Sequence, residues 1–291
     1  MGSSQQAVSV VVTGAAGYIG RHVVSALLDR GHAVVAVVRP GRSGEVDPRA
    51  RIVEADILAP DFDPVTVFEE VPDVFIHLAW QDGFSHNAPS HMLALSSHYR
   101  LITAMADLGV QRISVLGTMH EIGYWEGAID ADTPPSPRSL YGIAKNALRQ
   151  AVLLSLPGQA EVAWLRCYYI YGDDRRNNSI FTRLLEAVDR GQDTLPFTSG
   201  LNKYDFIEVH ALAEQIAVAS LTSGVSGIVN CSSGNPVSLG DQVEAFIQEN
   251  RLPISLEYGA FPDRPYDSPA VWGDATRIRQ IMTDAGGISG R

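Results

Sequence analysis

The sequence predicts an α/β fold: a Rossmann-type, doubly wound parallel sheet with a smaller C-terminal substrate lobe. Three observations carry this. Short β-branched runs alternate with helical patterns through the first half of the chain, the rhythm of strand–helix–strand units. These runs are apolar throughout rather than alternating, as strands are when both sheet faces are covered. The first run leads straight into a glycine-spaced turn that opens a helix.

Residues 8–12 read as the first strand and 18–29 as the first helix, with Gly31 just past its end. Residues 33–38, 52–54 and 74–78 read as strands two to four. Residues 92–108 are helical and stop before Gly109, and 113–116 form the fifth strand. A long helix over 140–156 precedes the sixth strand at 162–168. Beyond Gly172 the pattern changes, and helices over 180–190, 212–221 and 239–250 mix with short isolated strands. The chain is expected to return to the main sheet at 227–231.

The bulk composition narrows the function. A chain of 291 residues, 45% hydrophobic and 19% charged, can bury a sizeable core. Its net charge of −11 repels nucleic acid and anionic membrane, so neither is an expected partner. An anionic substrate would need local positive charge in a cleft. Cys167 and Cys231 lie in apolar runs and read as reduced core residues. No run is long enough to span a bilayer and the N-terminus lacks a signal pattern, so the expected address is cytoplasmic.

The turn after the first strand reads Thr13-Gly14-Ala15-Ala16-Gly17-Tyr18-Ile19-Gly20. Gly14 permits the tight turn, Gly17 lets backbone N–H groups approach a pyrophosphate, and Gly20 lets the helix pack close. Gly14, Gly17, Tyr18, Ile19 and Gly20 are therefore candidate cofactor contacts. NAD-binding folds place an acid at the end of strand two for the ribose hydroxyls. Here that place holds Arg39, with Arg42 three residues on. A guanidinium suits a 2′-phosphate, so NADP(H) is the expected cofactor. The plainer alternative is that both arginines are exposed surface charges. Asp56, with Ile57 beside it, is a candidate partner for the adenine. On this basis residues 1–172 are assigned to an NADP(H)-binding domain, with the chain returning near 206–232, and 173–291 mostly to the substrate lobe.

Tyr141 and Lys145 stand four apart near the start of the long helix, on one helical face. A free phenol has a pKa near 10, and a nearby ammonium is expected to lower it toward the working range. With ten tyrosines and two lysines in 291 residues, a chance Tyr-x-x-x-Lys is uncommon. Thr118, past strand five, lies at a strand end, where parallel sheets form their ligand crevice, and its hydroxyl can orient a substrate oxygen. It also reads as an ordinary loop threonine. His120 is a candidate substrate contact or second acid, and equally a satisfied polar residue of the crevice. Trp80 shapes the pocket or belongs to the core. His86, His91 and His98 are joined by no cysteine or closely spaced carboxylate, and no metal site is expected. Asn177, Asn178 and Ser179 read first as helix caps and second as sugar or nucleotide contacts.

The glycine loop, Thr118 and Tyr141-x-x-x-Lys145 together resemble the extended short-chain dehydrogenase/reductase family, the epimerase–dehydratase group acting on nucleotide sugars. The likeness covers nearly the whole chain. It implies that His77-Leu78-Ala79 lines the cofactor, so Leu78 and Ala79 join the contact set. It implies that Lys203 begins a substrate-lobe strand and that Arg264 holds a diphosphate, with Tyr169 and Asn178 as further substrate contacts. It implies a homodimer through the two long helices. The segments GTMHEIGYWEGAI, SLYGIAKNALR, NNSIF, KYDFIEV and RPYDSPAVWGD resemble, within that group, the 4-keto-6-deoxyhexose reductases. The implied reaction is NADPH-dependent reduction of a nucleotide-linked 4-keto-6-deoxyhexose, with dTDP-4-dehydro-6-deoxyglucose to dTDP-fucose as the expected case. The dehydratases of the group carry Asp-Glu directly after the Thr. Here Met119 and His120 follow, with Glu121 one place late, which disfavours dehydration. Tyr204 stands for the group's usual Arg and Tyr169 for its usual Asn. Two rivals stay open: an epimerase of the same group, and a non-catalytic dinucleotide-binding sensor or scaffold.

Overall fold

A computed structural model describes residues 7–68, 70–172, 175, 179–263 and 267–286. Its main sheet is built from β1 (Ser9–Thr13), β2 (Ala33–Val38), β3 (Arg51–Glu54), β4 (Val74–His77), β5 (Arg112–Thr118), β7 (Glu161–Cys167) and β11 (Gly227–Cys231). The seven strands run in the order β11-β7-β5-β4-β1-β2-β3, and every neighbouring pair is parallel. The chain order reverses between β1 and β4, which opens a crevice at their carboxyl ends. The predicted return of residues 227–231 to this sheet is observed, with Cys231 opposite Cys167.

Successive side chains on a strand point to opposite faces, so one apolar run supplies two cores. Val10 and Val12 pack beneath α1 (Gly20–Asp29), α7 (Val209–Leu221) and the last helix, α9 (Thr276–Asp284). Val11, Phe75 and Ile113 pack against α4 (Leu95–Asp107) and α5 (Leu140–Ser155) on the other face. Full burial of a residue such as Phe75 stabilises by about 2–3 kcal/mol. A smaller sheet has the order β12-β10-β14-β6, with β8 paired to β10. Its strands are β6 (Gly127–Ile129), β8 (Tyr169–Tyr171), β10 (Lys203–Glu208), β12 (Pro236–Ser238) and β14 (Ala270–Gly273). It carries a third core around Phe181, Tyr204, Phe206 and Val271, reached by α6 (Ile180–Asp189) and α8 (Leu239–Glu249).

Three helix starts differ from expectation: α7 begins at Val209 rather than 212, because the Glu208 carboxylate accepts from the His210 and Ala211 amides and caps it there. The first helix begins at Gly20, because residues 14–17 form a hydrogen-bonded turn and the Tyr18 hydroxyl is drawn away to the Gly172 carbonyl at 2.6 Å. The predicted helix over 92–108 is divided at Ala94 into α3 (Ser90–Leu93) and α4. Ser90 and His91 are tied to the loop after β4, which anchors the first turn separately. No helix among the described residues is long and apolar enough to cross a membrane.

Candidate active site

Gly14 closes the turn after β1 with φ +71°, and a Cβ there would stand 2.7 Å from the Ala79 amide nitrogen. Only glycine lets the loop lie this close to the end of β4. A cleft of about 480 Å³ follows, lined by Gly14, Gly17, Arg39, Arg42, Asp56, Ile57, Leu78, Ala79 and Trp80 among others. Helix α1 points its N-terminus from this loop with no acid in its first turn, so its positive end is unopposed. Donor-rich backbone, an apolar wall at Ile57 and an arginine at the rim fit a dinucleotide. Tyr18, Ile19 and Gly20 do not line the cleft: Ile19 packs toward the core, and the Tyr18 ring braces Gly172. Arg42 is not the free cation expected, since one edge of its guanidinium, Nε and Nη2, is bonded to the Glu45 carboxylate. Arg39 makes no hydrogen bond or ion pair among the described residues. Asp56 commits one carboxylate oxygen to the Leu58 amide at 3.1 Å.

The N-terminus of α5 is held from three sides. The Ser139 hydroxyl accepts from the Gly142 amide, the His86 carbonyl from the Tyr141 amide at 2.9 Å, and the Asn87 side chain from the Leu140 amide. Orphan donors of the first turn are thereby satisfied, which fixes where Tyr141 and Lys145 emerge. Gly142 has to be small, because a Cβ would strike the His120 carbonyl. Thr118 closes β5. Its hydroxyl accepts the His120 amide at 3.3 Å and shares a hydrogen bond with the Tyr141 hydroxyl. Lys145, buried, donates to the Leu116 carbonyl at 2.7 Å. Thr118, Tyr141 and Lys145 thus meet at the carboxyl end of β5.

The electrostatics depart from the sequence expectation. Burial pushes the Tyr141 phenol above its ordinary value, Cys167 adds to this, and the Thr118 hydrogen bond opposes it. Burial also pulls the Lys145 ammonium down to about 8. The ammonium lies 3.9 Å from the centre of the Trp80 ring rather than on Tyr141, so it does not pull the phenol into the working range here.

Around this pair stands an aromatic and imidazole cluster. The Trp80 indole N–H donates to His91 Nδ1 at 3.0 Å, so His91 carries its proton on Nε2 and donates to the Ser85 carbonyl at 3.0 Å. The Thr13 hydroxyl bonds His77 at 2.8 Å, and His77 bonds His98 at 2.9 Å. Burial pulls His98 down to about 3, and His77 well below its ordinary value. His86 stacks on Tyr141 with ring centres 5.4 Å apart and lies 4.4 Å from His120. Burial pulls His120 down to about 4. His86 carried no assignment from sequence, because its link to Tyr141 bridges a long loop that no local pattern encodes. Among the described residues no group of three or more His, Cys, Asp or Glu is placed to hold a metal ion.

Glu121 is turned into the core. It is fully buried, and its carboxylate accepts from Arg166 Nε at 2.5 Å and from the Trp164 indole at 2.9 Å. Arg166 also donates to the Asp130 carbonyl and the Asn230 side chain. A carboxylate so engaged cannot serve water loss at the crevice.

The remaining substrate candidates divide. Trp80 is not beside the lobe sheet but lines the glycine cleft. Tyr169 packs against Tyr204 with ring centres 4.4 Å apart. Lys203 is exposed at the start of β10, its amide bonded to the Pro269 carbonyl, and it makes no hydrogen bond with Tyr141. Asn177, Asn178 and Arg264 lie outside the described residues.

Comparison with known proteins supplies the family. The model described as "NAD dependent epimerase/dehydratase family" matches residues 10–232. The chain is 47% identical to dTDP-6-deoxy-L-talose 4-dehydrogenase (NAD(+)) of Aggregatibacter actinomycetemcomitans, over 91% of this chain and 99% of that one. It is 28% identical to the UDP-glucose 4-epimerase of Mycolicibacterium smegmatis, over 96% of this chain and 92% of that one. The solved structure of MoeE5 in complex with UDP-glucuronic acid and NAD matches with a TM-score of 0.77 and 26% identity, over 97% of this chain and 94% of that one. A crystal structure of a UDP-glucose 4-epimerase matches in fold with a TM-score of 0.80 at 19% identity, over 96% of this chain and 92% of that one. With its glycine turn, its Tyr-x-x-x-Lys helix and a match running from β1 past β11, the chain belongs to the NAD-dependent epimerase/dehydratase family.

Proposed function

We propose that this protein is a nicotinamide-dependent oxidoreductase that interconverts the 4-hydroxyl and 4-keto forms of a dTDP-linked 6-deoxyhexose. The observation that carries the reading is the meeting of Thr118, Tyr141 and Lys145 at the end of β5, beside the glycine cleft. Their relative in Aggregatibacter, named for oxidation at C4 of dTDP-6-deoxy-L-talose, supports both the sugar class and the carbon. That sugar is a better first substrate than the fucose-forming one expected from sequence.

When bound, the dinucleotide supplies or takes the hydride. In reduction Tyr141 gives its proton to the carbonyl oxygen. The Thr118 hydroxyl, which hydrogen-bonds Tyr141 before substrate enters, turns its hydrogen to the same oxygen as charge develops there. Lys145 places a positive charge near the forming phenolate and holds the ribose. The substrate occupies the crevice between the two sheets, with His120 and His86 toward the sugar. Glu121, buried on Arg166, is not available there as a second acid–base carboxylate, so the reaction stops at redox change.

The cofactor is read as NADP(H) from Arg39. The relative's name, NAD(+), and the pairing of Arg42 with Glu45 favour the unphosphorylated form as a second reading. Both questions fall to one assay. Nicotinamide absorbance is followed with dTDP-6-deoxy-L-talose and each oxidised cofactor, and with dTDP-4-keto-6-deoxyhexoses and each reduced one. Turnover at C4 is expected, faster with the phosphorylated cofactor. Absence of turnover with every pair overturns the reading.

A further inference from the structure

Trp80 is gripped on every side. His98 stacks on its ring with centres 4.4 Å apart and planes 11° from parallel. That imidazole is itself fixed through His77 to Thr13 at the end of β1. The indole N–H is spent on His91, and the ring edge meets Tyr141 at 6.2 Å. One face is covered by His98, which leaves the other for Lys145, whose Nζ stands 3.9 Å from the ring centre.

Lys145 has little else to keep it charged. Its neighbours from every packed element are Cys167 on β7, Glu121 in the turn after β5, His77 on β4, His98 on α4 and Tyr141 on its own helix. Burial pushes the Cys167 thiol up to about 12, and both histidines are held neutral. Glu121 is bonded to Arg166. No carboxylate reaches Lys145 within ion-pair distance among the described residues, and its ammonium meets the Leu116 carbonyl and the face of Trp80. An indole face attracts an ammonium through its quadrupole, most strongly where water is excluded.

We propose that Trp80 is a positioning residue for the reaction: clamped by His98 and His91, it offers its free face to Lys145 and keeps that side chain charged at the mouth of the glycine cleft. The role in catalysis rests on the function proposed above, but the contact and its effect on Lys145 do not.

The test uses the full chain labelled with 13C/15N-lysine. There are only two lysines, so two sets of signals appear, and exposed Lys203, identified through K203R, is the internal reference. In the wild type the Lys145 ε-methylene protons are expected upfield of those of Lys203, because they lie in the ring current of Trp80. Lys145 should titrate near 8. Trp80→Leu keeps an apolar wall and removes the ring, and should lower that midpoint by about one unit. Trp80→Phe keeps a ring face and should stay within about half a unit of wild type. A Lys145 midpoint unchanged or raised in Trp80→Leu overturns the proposal. Should that variant fail to fold, the wild-type spectrum still decides, since Lys145 protons without an upfield shift overturn it too. None of these readings needs a substrate, so failure of the proposal and failure of the proposed function are separate outcomes.

Discussion

The buried imidazole chain Thr13–His77–His98 makes the fold acid-sensitive, and the amount can be worked out. His98 is 1% exposed and burial holds its pKa at about 3, against 6.5 for a free imidazole. The folded state therefore resists a proton that the unfolded chain accepts. A depressed folded pKa gives stability that is complete above 6.5 and is lost as pH falls from there toward 3. At pH 5 an unfolded imidazole is protonated about thirty to one, while folded His98 stays neutral. The loss between pH 7 and pH 5 is about 2 kcal/mol from this residue alone. His77, depressed by burial in the same way, adds to the wild-type slope. The perturbation is His98→Gln, whose amide can still meet His77 and cannot take up a proton. Urea unfolding at pH 7 and pH 5 measures the loss for both proteins. The variant is expected to be less stable at pH 7 but to lose about 2 kcal/mol less than wild type on acidification. Equal losses would refute the neutral buried pair.

Other perturbations test the rest of the site. Tyr141→Phe removes one hydroxyl and should lower turnover by about two to four orders of magnitude with dinucleotide affinity nearly intact. Unchanged steady-state rates would remove Tyr141 from the chemistry. Arg39→Asp should shift the ratio of kcat/KM with NADPH to that with NADH by about tenfold or more toward NADH, and an unmoved ratio makes Arg39 a bystander. Arg166→Met leaves the buried Glu121 carboxylate without its partner and should cost about 3–5 kcal/mol in denaturant unfolding. Adding Glu121→Leu to it should restore much of that loss. If the double variant is as weak as the single one, the ion pair is not what holds the turn.

What could be read in advance depended on how local the cause was. Strands β1, β2, β4 and β11 were legible because continuous apolar runs follow from burial on both faces. The start of α5 was placed at Leu140 beside the Tyr-x-x-x-Lys spacing, while the Ser139 cap that fixes it emerged only from the structure. The small sheet was largely not: β6 and β8 are three-residue strands whose partners lie far along the chain, on β14 and β10. Position 39 could be placed at the cleft, since it ends β2, but the pairing of Arg42 with Glu45 depends on a 3-10 turn over Ser43–Glu45 that no motif announced. The state of Lys145 was misjudged for the same reason. Spacing puts Tyr141 and Lys145 on one face, yet the ammonium takes the face of Trp80, a residue 65 positions earlier.

The turn Met119–Glu121 shows how small a change separates chemistries on this scaffold. In a 3-10 turn successive side chains point about 120° apart. Met119 therefore enters the small core, His120 turns toward Tyr141, and Glu121 goes inward to Arg166. A carboxylate one place earlier would stand where His120 stands, at the crevice beside Tyr141. Moved to position 121, it becomes a strut: with Trp164 and Arg166 it fixes the turn from below. That same turn carries the His120 amide bonded to Thr118 and the His120 carbonyl against which Gly142 packs. The residue excluded from the chemistry thus sets the relative placement of the hydroxyl and the helix that perform it. This is why Arg166→Met should disturb turnover as well as stability.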